Sequence, residues 1–188
     1  MSEADLPGAG DLRLPAAACL ALGHDLPRAG SPEAALAVID GVRQSLLGPG
    51  LLTVNLNATA WSGAGQGAGA EDTIELQRIW TSNPAAYPVA GRKRKTLTPW
   101  TRQLLLRAEV FVGEGDAVLA GIFDDHALIA SLGLRAIVNV PLLDEVGGCF
   151  ATFNLLGCRP QWQPEEVLLV QLLGLLATPA VQRLALAA

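Results

Sequence analysis

The chain has 188 residues, 51% of them hydrophobic and 16% charged, with a formal net charge of −5; that suits one globular domain with a sizeable core and excludes a disordered chain. The acidic balance argues against general nucleic-acid binding, which needs a basic surface to neutralise phosphates. Three cysteines, Cys19, Cys149 and Cys158, are too few and too odd in number for a secreted disulfide framework, and with no signal-peptide pattern ahead of them a cytoplasmic protein is expected.

Residues Met1 to Gly30 mix prolines and glycines around one short helical stretch, Leu14 to Leu22, and read as an arm. Ser31-Pro32-Glu33 then offers a capping hydroxyl, a proline at the first helical position and an early carboxylate. The helix it opens carries an apolar stripe of Leu36, Val38, Ile39, Val42, Leu46 and Leu47, and Gly48-Pro49-Gly50 ends it. Leu51 to Ala58 alternates leucine and valine with Thr53, Asn55 and Asn57, which predicts a strand with one polar face. A second strand is expected over Thr73 to Thr81. The glycine-rich Ser62 to Ala70 stretch between them precedes an acidic strand and not a helix, so it reads as a hairpin tip and not as a dinucleotide cradle.

Ser82-Asn-Pro-Ala-Ala-Tyr-Pro88 is an extended loop, because a residue before proline is pushed out of the helical region. The basic run Arg92-Lys-Arg-Lys95 is either a solvated face or an anion-binding edge beside a pocket. Thr98-Pro99 starts another helix, Val110 to Val112 a short strand, and Gly113 to Asp116 and Asp124 or Asp125 open two further helical segments.

Ala136 to Leu156 reads as a hairpin around Asp144, Glu145, Gly147 and Gly148. Its strands are apolar on both parities, which implies cover on both faces. Asn139, Thr152 and Asn154 are the exceptions. A four-residue loop pairing Leu143 with Gly148 would put all three on one face, pointed at a pocket; a five-residue loop would separate Asn139 from the others. The last helix starts at Gln163-Pro164-Glu165-Glu166. Its leucines cover more of the circumference than one sheet can bury, which suggests a second copy of the chain as partner; Gln171, Pro179, Gln182 and Arg183 argue against a membrane span. The order of elements predicts an α+β domain with one mainly antiparallel sheet between helical layers.

From Ser31 to Gln182 this layout resembles that of GAF domains, small-molecule sensing modules related to PAS. Asn139-Val-Pro-Leu142, the glycine-linked hairpin ending in Asn154-Leu-Leu156, and Ser82-Asn-Pro-Ala-Ala-Tyr-Pro88, Thr98-Pro-Trp100, Phe111-Val-Gly-Glu114 and Phe123-Asp-Asp-His-Ala-Leu128 carry the resemblance. It implies a stand-alone bacterial GAF-like domain over residues 31–188. It also implies a five- or six-stranded antiparallel sheet, terminal helices on one face and a ligand-pocket roof of loops and short helices on the other. The cyclic-nucleotide pattern of the family is missing, and Asp125 precedes His126 where bilin-binding relatives often carry a cysteine.

Under this resemblance Trp80, Tyr87, Trp100, Phe111 and Phe123 become pocket walls, with Asn83 in the same loop region, though each aromatic equally suits a filled core. Asp124, Asp125 and His126 form the polar cluster near the pocket; the alternative is helix capping by an aspartate with His126 a pocket or surface residue. No metal site is expected, since no second histidine lies near in sequence. Asn139, Thr152 and Asn154 would form a pocket floor, or else bond only to neighbouring loops. The expected function is binding of an unknown small-molecule ligand with output through a homodimer or a partner protein, without catalysis, cofactor, nucleic acid or membrane. Two alternatives stay open. One is a redox enzyme resembling free methionine-(R)-sulfoxide reductase and using Cys149 or Cys158; a strand rise of about 3.3 Å per residue, however, puts those two beyond disulfide reach on one extended strand. The other is a ligand-free dimerisation scaffold.

Overall fold

A computed structural model describes residues 13–61 and 73–187. The glycine-rich stretch expected as a hairpin tip and the first twelve residues of the arm lie outside them. Six strands form one antiparallel sheet: β1 (Gly50–Asn57), β2 (Thr73–Thr81), β3 (Arg92–Thr96), β4 (Phe111–Glu114), β5 (Ala136–Leu143) and β6 (Cys149–Gly157), in the spatial order β3-β2-β1-β6-β5-β4.

One face is covered by helices from the two ends of the chain. In the N-terminal segment, α1 (Ala16–Leu20) runs on through a π-helical turn (Ala21–Asp25) and a short 3-10 turn (Leu26–Arg28). It is more than the expected arm: Leu14, Ala18, Leu22 and Leu26 recur every four residues, and Ala18 is buried in the core with the other three packed around it. Helix α2 (Pro32–Leu47) begins where Ser31 accepts a hydrogen bond from the Ala34 N–H and ends at Gly48, whose φ of 79° suits glycine. A four-residue helix, α3 (Ala58–Trp61), follows β1. The long C-terminal helix covers Pro164–Ala185 and starts with a reciprocal cap between Gln163 and Glu166. Between it and α2, the inward residues of β1, β5 and β6 form the main core, including Leu52, Val54, Val138, Phe153 and Leu155. The close approach is set by Gly174, where a Cβ would lie 3.2 Å from Val140 Cγ1.

The other face carries a roof. It consists of the 82–91 loop, α4 (Pro99–Thr101) with its π-helical continuation (Arg102–Leu106), α5 (Asp116–Ile122) and α6 (His126–Ser131); the C-terminal helix is α7. Thr98 and Thr101 cap α4 reciprocally. Two smaller apolar clusters join roof to sheet, one around Leu51, Ile137 and Leu156 and one around Leu76, Trp100 and Leu104. The apolar residues of the hairpin on both parities are therefore divided between two covered faces.

The sheet departs from the expected pattern in three places, each of which decides which side chains face the roof. The Arg92 to Lys95 run, for which no strand was expected, forms the edge strand β3, paired to β2 through Leu76↔Lys93 and Ile74↔Lys95. In β2, Val54 pairs with Trp80 and Asn55 with Arg78, so one extra residue, Ile79, bulges the strand; a bulge reverses the side-chain parity beyond it. Ile79 and Trp80 both enter the main core as a result. The β5–β6 hairpin has a five-residue loop, with Leu143 opposite Cys149, and a second one-residue bulge on β6 then restores parity so that Asn139 faces Asn154. The expected four-residue loop is corrected, yet the shared face survives because the bulge compensates for the longer loop.

Candidate ligand-binding site

A cavity of about 60 Å³ lies between the sheet and the roof. Its floor comes from alternate residues of five strands: Thr53 and Asn55, Leu76 and Arg78, Lys93 and Lys95, Ile137 and Asn139, Asn154 and Leu156. Above it stand Tyr87 and Gly91 from the 82–91 loop, Trp100 of α4, Phe123 and Asp125 in the turn before α6, and Ile129. Trp100 and Phe123 meet edge to face, their ring centroids 5.7 Å apart and planes at 75°.

A chain of hydrogen bonds ties the floor together. Trp100 Nε1 donates to Asn139 Oδ1 at 3.0 Å, and Asn139 Nδ2 donates to Asn154 Oδ1 at 2.6 Å. Asn154 Nδ2 donates in turn to Thr152 Oγ1 at 3.0 Å, with longer approaches to Thr53. Asn139, Thr152 and Asn154 are buried, and each link satisfies a group whose exposure to an apolar interior would otherwise cost about 1–3 kcal/mol. The amides thus bond within the protein and form a rigid polar floor.

The free hydrogen-bonding capacity lies at one side. Arg78 stacks its guanidinium over the Tyr87 ring, 4.7 Å from the centroid, and donates through Nη1 to the Pro88 carbonyl at 3.1 Å. Its Nε and the Tyr87 hydroxyl are buried and meet no acceptor or donor at hydrogen-bond geometry among the described residues, although the hydroxyl lies beside the Asp125 carboxylate. Burial, and then the Asp125 charge, pushes the Tyr87 hydroxyl well above the usual phenol range, so it stays protonated. Burial lowers Arg78 against the pull of Asp125.

Across the rim, Lys93 Nζ pairs with Asp125 at 2.8 Å and Lys95 Nζ with Asp124 at 2.5 Å. Burial raises the Asp125 carboxyl, but the hydrogen bond and charge of Lys93 and the nearby backbone and Tyr87 donors bring it net below the ordinary carboxylate range. Asp124, hydrogen-bonded to Lys95, is also lowered. These two pairs join the edge strand β3 to the roof.

Of the residues expected at the site, Tyr87, Trp100, Phe123, Asn139 and Asn154 line the cavity. Thr152, two residues along β6 on the same face but outside the cavity lining, accepts a hydrogen bond from Asn154. Trp80 does not belong to it: the β2 bulge turns it into the core under α2 and α7 and leaves Arg78 facing the cavity in its stead. Asn83 is structural; its carbonyl and Oδ1 accept from Tyr87 N and Ala86 N, building the turn that seats Tyr87. Phe111 packs in the two smaller clusters beside the site. Asp124 is solvated apart from Lys95, and exposed His126 bonds back to the Phe123 carbonyl, at 3.1 Å. Asp125 occupies the N-cap position of α6 without a capping bond from its side chain, which goes to Lys93. Arg78 emerges as a site residue only from pairing register, a signal absent from local sequence patterns, whereas Lys93 and Lys95 belong to the basic run that suggested an edge beside a pocket, and Asp125 to the polar cluster expected near it.

Cys149 is buried, donates to the Ala151 carbonyl at 3.3 Å, and burial pushes its thiol up to about 12. Cys19 and Cys158 are free and exposed. Among the described residues no group of three or more His, Cys, Asp and Glu side chains is placed to hold a metal.

No family model and no curated protein matches the sequence. Solved structures do match the fold. The GAF domain of a phosphoenolpyruvate-protein phosphotransferase from Coxiella burnetii superposes with a TM-score of 0.62 at 12% identity, over 89% of this chain and 92% of that one. A cyanobacteriochrome GAF domain gives 0.56 at 17% identity, over 85% and 94%. The chromophore-binding domain of a bacteriophytochrome from R. palustris gives 0.57 at 12% identity; the match takes in 91% of this chain but 62% of that one. At such identities the likeness speaks to architecture, and with the strand order and two covered faces it means that this chain has the fold of a GAF domain.

Proposed function

We propose that the chain is a small-molecule-binding sensory domain of GAF type, taking its ligand between sheet and roof and passing the signal on through a homodimer of its terminal helices or through a partner protein. The carrying observation is the pair of orphaned buried atoms at the cavity, Tyr87 Oη and Arg78 Nε. A native fold seldom leaves such groups unmade, and a ligand that supplies the missing partner removes the cost. A chromophore-binding domain among the structural neighbours is a precedent for this use of the fold. The protein is taken as bacterial and cytoplasmic, with no catalysis, cofactor, nucleic acid or membrane partner assigned to it. Thermal-shift and native mass-spectrometry screens of metabolites and co-purified material test the proposal: a bound compound whose stabilisation is lost on filling the cavity is expected, and no compound at all would refute it.

A second reading, the ligand-free dimerisation scaffold, is favoured by the small volume and by Leu168, Leu172 and Leu175, which expose 52%, 37% and 69% of their surface along one side of α7. Leu176, by contrast, packs partly into the core. Replacing Leu172 and Leu175 together by glutamate should give monomers in sedimentation velocity; a monomeric wild-type protein would remove the dimer from both readings. The redox alternative gains no support from Cys149, whose buried thiol stays protonated at neutral pH.

A further inference from the structure

We infer that the cavity takes a small carboxylic acid, its ionised carboxylate received by Arg78, Tyr87 and Lys93 and its short apolar body set against Trp100 and Phe123. This rests on the proposal that the cavity binds a ligand, and it names the class of that ligand.

Charge points to an anion. Among the described lining residues, Arg78, Lys93 and Lys95 stand against one carboxylate, Asp125. Lys93 already shares that carboxylate, and the partner of Lys95 stands out in solvent, since Asp124 is 84% exposed while Lys95 is 12% exposed. Among the described residues no carboxylate lies within ion-pair distance of Arg78, whose side chain donates to a neutral carbonyl. A guanidinium held in place by stacking, with an N–H edge left over, suits the planar fork of a carboxylate. The hydroxyl of Tyr87, a residue 5% exposed, adds a second donor that makes no full hydrogen bond and has only the nearby Asp125 carboxylate beside it.

Size narrows the class. About 60 Å³ is well below the ~150 Å³ of a cavity that admits benzene, so the present shape accommodates a ligand of a few heavy atoms and rejects a nucleotide or a tetrapyrrole. Much of the remaining wall is apolar, from Trp100, Phe123, Leu76 and Ile137, and the indole N–H and the Asn139 and Asn154 amides are engaged with one another. Beside the charged edge only Thr53 and Asn55 present neutral polar side chains, too few for a polyhydroxylated body.

The test titrates acetate, propionate and pyruvate into the full chain at constant ionic strength, with acetamide, propionamide and inorganic phosphate as comparators, read by thermal shift and calorimetry. A saturable stabilisation by at least one carboxylate and none by its amide is expected. Tyr87→Phe should change the Tm of the free protein little, because the hydroxyl it removes makes no full hydrogen bond and lies only beside Asp125, while weakening the acid roughly tenfold or more. Arg78→Lys, which keeps the charge and loses the fork, should weaken it likewise. Equal binding of acid and amide, binding of phosphate but of no carboxylate, or an affinity unmoved by Tyr87→Phe would overturn the inference. If none of these acids binds while the wider screen finds a neutral or cationic compound in the cavity, the acid is wrong and the sensory reading stands; if the wider screen is empty too, both fall.

Discussion

Asn139 shows what one buried amide does here. It accepts from Trp100 and donates to Asn154, so it connects α4 of the roof to two strands of the sheet. Asn139→Ala should destabilise the protein by about 1–3 kcal/mol for each group it orphans, measurable as a drop in the urea midpoint, and should loosen the Trp100 ring, visible in its fluorescence. Asn139→Asp keeps the acceptor for Trp100 but puts a charge against Asn154 Oδ1. At this scale the sequence was informative where chemistry was unusual: three polar residues in apolar strands stood out and do share a face. Arg78 did not stand out. An arginine in a strand that alternates around it has nothing local to mark it, and only pairing across β1 reveals where it faces. His126 illustrates the converse, since a histidine between acidic and apolar residues drew attention and proves exposed.

At the scale of elements, caps and proline starts were legible because they are local: Ser31-Pro32, Thr98-Pro99 and Gln163-Pro164 all open helices where expected. Bulges were not, because an extra residue is defined by the partner strand. Strand β3 was missed for a related reason. Its residues are all polar, and it is held by its ladder to β2, by Arg92 and Arg94 on Glu75 from one face and by Lys93 and Lys95 on the roof aspartates from the other. Helix α2 carries its own buried ion pair: Arg43, 1% exposed, bonds Asp40 at 2.5 Å and the Gly48 carbonyl at 2.8 Å, closing the end of the helix. Arg43→Ala leaves Asp40 buried without its cation and should cost about 3–5 kcal/mol, whereas replacing both residues by apolar ones of similar volume should cost less than the single change. Chemical denaturation of the two variants checks this.

Across the whole molecule, the sheet separates two layers of different character. The α2–α7 side is apolar and continuous; the roof side is divided into two clusters with the cavity between them and is fastened by ion pairs. The roof should therefore respond to acid more than the helical layer does. Asp125, raised by burial but lowered further by Lys93, titrates below the ordinary carboxylate range, as do Asp124 through its hydrogen bond from Lys95 and Asp116 through that from Arg135. A lowered folded-state pKa means that the stabilisation is fully present above the unfolded value, about 3.9 for aspartate, and is lost as pH falls through the lower folded values. Amide exchange should show roof segments 116–131 opening first as the pH is taken below about 4, and Asp125→Asn should flatten that dependence.

The edge strand has one more consequence, for how these molecules meet. An outermost strand presents unpaired backbone groups that invite another sheet to extend it. Here four consecutive cations occupy that border, and two copies brought border to border would face each other with like charges. Replacing Arg92 and Arg94 by threonine would keep the strand's propensity while halving that border charge, so the variant would gain a route to edge-to-edge growth and aggregation, visible as light scattering that rises with protein concentration.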